Sequence, residues 1–101
     1  MKNFRTYDLA VQFYRQAVAL PLKAHLKEQL LRAAASVALN LAEGRGKPSV
    51  RDQLRFFHIA MGSVRESQAI LALGNQESTK AYQLLDSLAA HLYRLIQAAV
   101  G

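Results

Sequence analysis

Apolar residues recur along this chain at spacings of three and four, and nowhere does a sustained apolar–polar alternation suggest a strand. Strong breaks fall at Pro21 and at the cluster Gly44, Gly46 and Pro48; Gly74–Asn75, followed by a polar run, makes a third. The breaks leave four segments, predicted as helices over about 6–20, 24–43, 50–73 and 79–100.

Each segment has an expected inner face. In the first, Tyr7, Val11, Tyr14 and Val18 line one side. In the second, Leu26, Leu30, Ala33, Val37 and Leu41 form the stripe, and the small residues of AAASVALNLA allow a neighbouring backbone to come close. Its opposite side, Gln29, Arg32, Ser36, Asn40 and Glu43, is a polar strip. The third segment opens with Ser49 and Asp52, a capping box with Asp in place of Glu. Val50, Leu54, Phe57, Met61, Val64 and Leu71 make one seam; Phe56, Ala60, Ser63, Ser67 and Ile70 make a weaker second. Two seams ask for two partners. The fourth carries Ala81, Leu85, Leu88, Leu92, Leu95 and Ala99 in register. Short joints force sequential helices antiparallel, so the expected fold is all-α: one up-down-up-down four-helix bundle over residues 1–101.

Composition narrows the function classes. The chain has 101 residues, enough for one modest core, and thirteen Lys and Arg against seven Asp and Glu, a formal charge of +6. That balance favours a polyanion, nucleic acid or an anionic surface. With no cysteine, disulfides, thiolate zinc sites and cysteine nucleophiles are excluded. The start, MKNFRTYDLA, carries Lys2, Arg5 and Asp8 and no signal-like apolar run. The uncharged stretch from Ala33 to Ala42 is half a membrane span. The expectation is a cytoplasmic protein with no membrane partner.

Catalytic groupings are thin. His25, His58 and His91 fall on three different segments, and none is preceded by Glu at i−3 as the Glu-x-x-His pairs of di-metal bundles require, so no metal site and no cofactor are expected. Arg51 and His58, with Asp52 beside the arginine, fit the Arg-x(4–6)-His spacing of HEPN-type ribonucleases, where histidine would move the 2′-hydroxyl proton and arginine brace the phosphate. Helix faces produce that spacing by chance, and a non-catalytic protein is expected. The basic strip is the stronger signal. Arg45, Lys47, Arg51 and Arg55 against Asp52 give +3 within eleven residues, and His58 and Arg65 extend the strip. Arginines so spaced on a rod reach successive phosphates; a solvated face partly neutralised by Glu43 and Glu66 is the other reading. Phe56 and Phe57 read as core residues, so base readout is not indicated.

Glu43 is out of place electrostatically, because a carboxylate in the last turn of a helix opposes the helix dipole. A hairpin around the Gly44–Pro48 turn would put it within reach of Arg45, Arg51 or a neighbouring subunit's arginine, with Gly44 as a left-handed cap.

The same residues carry a family resemblance. Leu30-Leu31-Arg32-Ala33-Ala34-Ala35-Ser36-Val37, then Asn40-Leu41-Ala42-Glu43-Gly44, then the run from Leu54 to Glu66 resemble the 23S rRNA intervening-sequence protein family. Its pattern is a helix ending in Asn-Ile-Ala-Glu-Gly, then a helix with Arg-Phe, Ile-Ala and Gly-Ser with Glu soon after. By position, Ser36, Asn40, Glu43, Gly44, Gly62, Ser63 and Glu66 match; Leu41 stands where Ile is commoner, and Arg65 where many members are apolar or acidic. The resemblance implies a four-helix bundle assembling as a ring-like homopentamer. Relatives include the accessory variability proteins of diversity-generating retroelements, whose basic barrels bind nucleic acid and a reverse transcriptase. It therefore implies RNA or DNA, and possible reverse transcriptase, as partners, or a scaffold role in which the arginines pair with Glu43 and Glu66 at subunit contacts.

Overall fold

Four helices form where the breaks leave room for them. In the computed structural model, which describes residues 4–101, α1 spans Arg5–Ala19, α2 Ala24–Arg45, α3 Val50–Leu73 and α4 Lys80–Val100. Lys2 lies outside the described residues. Pro21 ends α1 by holding Leu20 in extended geometry (φ −71°, ψ 140°), and Lys27 donates from Nζ to the freed Val18 carbonyl at 2.6 Å. Ser49 caps α3, its Oγ accepting from the Asp52 N–H at 3.1 Å, and Thr79 caps α4 by accepting from the Tyr82 N–H at 3.2 Å. Asn75 (φ 60°) closes α3 in the left-handed region, with the Gln76 N–H reaching back to the Leu71 carbonyl at 2.8 Å.

The helices pack as a square, α1 on α2, α2 on α3, α3 on α4 and α4 on α1, with no close backbone approach across either diagonal. The whole measures 40 × 22 × 20 Å. This is the up-down-up-down bundle expected from the short joints, and the described residues contain no strand. The α2 stripe is buried from Leu30 to Leu41, with Leu26 half-buried at its end; in α4, Leu85, Leu88 and Leu92 are fully buried, and Leu95 and Ala99 half-buried. Both seams of α3 are used: Phe57, Val64 and Leu71 are buried with Ala60, Ser67 and Ile70.

The expected face of α1 is corrected. Its core side is Leu9, Phe13 and Ala17 with Thr6 and Ala10, whereas Tyr7, Val11 and Tyr14 are only half-buried and Val18 is 51% exposed. The helix has two apolar stripes. The one that goes inward carries the wholly apolar Phe13 ring with small alanines beside it, which lets the neighbouring helices pack close. The tyrosine stripe lies at the edge, where a phenol can keep its hydroxyl in water. Gly44 is corrected too. It lies inside α2, and the helix ends two residues later at Gly46, whose φ of −84° and ψ of −6° are right-handed. Tight backbone bonds, Gly46 N–H to Glu43 O and Lys47 N–H to Gly44 O, end the helix instead of a left-handed residue.

Truncating the inner stripe of α1 should therefore cost far more than truncating the outer one. Leu9→Ala is expected to lose about 2–5 kcal/mol and Val18→Ala about 0.5 kcal/mol or less, as read by urea unfolding. Equal losses would return the core to the tyrosine side.

Candidate nucleic-acid interface

The α2–α3 hairpin brings the basic residues to one end of the bundle because its two helices approach closely. A Cβ on Gly44 would stand 2.8 Å from Phe57 Cε1 and 3.0 Å from Phe56 Cβ, so only glycine lets α3 lie where it does. Further along, the contact is polar and small: Ser63 Oγ donates to Ser36 Oγ at 2.9 Å, and Asn40 Nδ2 donates to Ser36 Oγ at 3.1 Å and to the Ser36 carbonyl at 2.8 Å. Ser67, fully buried, donates to the Ser63 carbonyl at 2.9 Å. These bonds satisfy hydroxyls that would otherwise be costly between helices, and they set the register of the pair. Gln53 Nε2, donating to the Lys47 carbonyl at 2.8 Å, ties down the turn.

Glu43 finds its partner in Lys47, with Nζ 3.1 Å from Oε2; neither Arg45 nor Arg51 takes that place. This i, i+4 contact is the one ion pair among the described residues, and both side chains are partly solvated. Arg45 instead lies over the Phe4 ring, its guanidinium carbon 4.6 Å from the centroid. Arg55 lies 4.6 Å over Phe56, and Lys47 Nζ is 5.2 Å from the same ring. Phe56 is thus a half-exposed platform for two cations, and Phe57 alone of the pair joins the core, at 2% exposure. Phe4 and Phe56 carry these cations, a role that pattern reading missed. Lys47 and Phe56 meet only once the hairpin folds, so spacing along the chain gives no sign of it.

Arg51 is exposed in the first turn of α3, where the dipole disfavours a cation, and it has no ion pair. Arg65 is exposed ten residues beyond Arg55, about 15 Å along the helix, and donates to Gln68 Oε1 at 2.9 Å. Arg45, Lys47, Arg51 and Arg55 therefore belong to the hairpin end, whereas Arg65 extends the strip along α3. Glu66 is exposed and pairs with none of these arginines. His58 stands two turns from Arg51 on the open side of α3, about 10 Å along the axis. His91 contacts the Ser87 carbonyl of its own helix, and among the described residues no three His, Asp or Glu side chains gather as metal ligands would.

Besides a concavity of about 460 Å³ along α1 between Arg5, Asp8, Gln12 and Arg15, two lie elsewhere among the described residues. One of about 550 Å³ opens at the far end of the bundle between Leu22, Lys23, His25, Leu26, Leu73 and Asn75. The other, about 200 Å³, is an apolar groove between α1 and α2 lined by Val11, Tyr14, Ala35, Ala38 and Leu39.

A family model described as 23S rRNA-intervening sequence protein matches residues 4–99, and the chain belongs to that family. Neither the curated proteins nor the solved structures contain a match to it. The matched span takes in the whole hairpin, including Ser36, Asn40, Gly44 and Ser63, which hold α2 and α3 together.

The two α2–α3 glycines should respond oppositely to alanine. At Gly44 the added methyl strikes Phe57 and the Cβ of Phe56, so Gly44→Ala should lose about 1–3 kcal/mol. At Gly62 nothing lies within 4 Å, so Gly62→Ala should gain about 1 kcal/mol from helix propensity alone. Denaturant midpoints check both signs.

Proposed function

We propose that this protein is a non-catalytic nucleic-acid-binding bundle that contacts RNA or DNA phosphates through Arg45, Lys47, Arg51, Arg55 and Arg65. The observation that carries the reading is the unmatched charge at the hairpin end: four cations stand against Glu43 and Asp52, and only Lys47 is paired. Stacking on Phe4 and Phe56 holds Arg45 and Arg55 in place without consuming their hydrogen-bond donors, which remain available for phosphate oxygens. Arg51 adds a charge that its own helix disfavours and that an incoming anion would compensate. The dispersed, solvated geometry suits backbone contacts and offers no pocket for a single base. Arg51 and His58 lie on the same exposed face seven residues apart, about 10 Å along the axis, and among the described residues no carboxylate pairs with either, which favours binding over ribonuclease chemistry.

Binding to a structured RNA or a DNA duplex should be weak and should fall steeply with salt. Replacing Arg51 and Arg55 together by Ala should weaken it and reduce the slope of log K against log salt by about 1 for each phosphate no longer neutralised. A parent protein that binds neither probe at low salt defeats the reading.

The second reading, a homo-oligomeric scaffold or accessory subunit, is favoured by the apolar groove between α1 and α2. Leu39 is 68% exposed there, beside half-buried Val11 and Tyr14, and among the described residues no helix covers them. A second copy seated on that groove gives a homo-oligomer, of which a pentamer is the form implied by the resemblance. Light scattering should then report a mass several times that of one chain, and Leu39→Glu should reduce it to the monomer without unfolding it. A parent already monomeric at about 100 μM would remove the groove as a self-contact.

A further inference from the structure

Gly62 lies halfway along α3, exposed, with nothing within 4 Å of where a Cβ would be. Its backbone is not left-handed. Neither a close neighbour nor a special dihedral inside the chain asks for glycine, in contrast to Gly44 on the facing helix. What the missing side chain does provide is a dip in the outer ridge of α3. His58, Ile59, Arg65 and Glu66 flank it at three and four residues, and Arg55 lies two turns away on the same open side. All five are exposed. Arg51, Arg55 and Arg65 face one carboxylate on this strip, Glu66, which pairs with none of them.

We infer that Gly62 is where the sugar–phosphate backbone of a nucleic acid touches α3, the bare helix letting the strand lie low enough for Arg55 and Arg65 to grip phosphates on either side. The inference rests on the phosphate-binding reading and adds to it the line the strand follows and the one position where bulk is not tolerated. Arg55 and Arg65 are separated by about 15 Å of helix, too far to share a phosphate, so a strand that engages both must cross Gly62. Charge-assisted hydrogen bonds hold only near 2.7–2.9 Å, and a side chain between strand and helix would lift the phosphates beyond that distance. A two-fold contact fits the strip poorly, because the same surface would meet itself, arginine against arginine.

The test is Gly62→Gln, which adds bulk without charge, with Ala90→Gln at an exposed site on α4 as the control. Fluorescent RNA and DNA duplexes of about 20 base pairs, titrated at low salt, serve as probes. Gly62→Gln should melt at or above the parent's temperature yet bind about tenfold or more weakly, while Ala90→Gln stays within about twofold. Binding by Gly62→Gln equal to the parent's overturns the inference while leaving the wider reading intact. Loss of oligomer mass with affinity per chain unchanged would make position 62 a subunit contact and overturns it too. A parent that fails to bind removes the wider reading, and the inference with it.

Discussion

The close approach of α2 and α3 is the constraint from which the rest of this molecule follows. Gly44 against Phe57 and Phe56, and Ser36 against Ser63, bring two long helices together with almost no side-chain volume between them. That closeness commits the chain to a register, because a slip of one residue would drive a side chain into an aromatic ring or strand a hydroxyl without a partner. It also leaves no room inside for Phe56, whose ring is pushed to the rim, where Lys47 and Arg55 settle on it. The basic end is therefore a by-product of how tightly the hairpin closes, and it inherits the hairpin's rigidity.

Two charges in this hairpin stand at the wrong helix ends, and they are treated differently. Glu43, near the negative end of α2, is relieved by Lys47 within one turn. Arg51, at the positive end of α3, has no such relief; Ser49 and Asp52 cap the helix, but no carboxylate lies in ion-pair range of the guanidinium. A fold selected for stability alone would have little reason to leave that imbalance. Proteins tolerate local misfits of this kind chiefly where function needs them.

Much of the fold was legible in the sequence because helix breaks and caps are local. Pro21, the Gly44–Pro48 cluster, Ser49 and Thr79 act through their own backbone or the next turn, so the four segments fell within a residue or two of the helices. Two features resisted. In α1 both the Tyr7–Val18 stripe and the Leu9–Ala17 stripe have helical spacing, and only packing against α2 and α4 decides between them. At Gly44 a glycine near a helix end reads as a left-handed cap, whereas the deciding contact is with a helix that has not yet begun. The site shows the same division. The arginines were visible as a run of charge, but the ring that holds Arg45 comes from the far end of the chain and the ring that Lys47 meets comes from the next helix.

The two proposed surfaces do not compete for space. α1 and α3 occupy diagonal corners of the square, so a copy seated on the α1–α2 groove would leave the outer side of α3 open. The strip itself has too few arginines for tight binding by one chain, since each phosphate contact contributes little at physiological salt. Copies joined through α1 and α2 would present several strips at a fixed spacing, and one nucleic acid could then engage more than one of them. Effective concentration, with no new contact, raises avidity by orders of magnitude in that arrangement. A weak site on a small bundle and an uncovered apolar groove thus make physical sense together, because the groove would supply the multiplicity that the arginines lack.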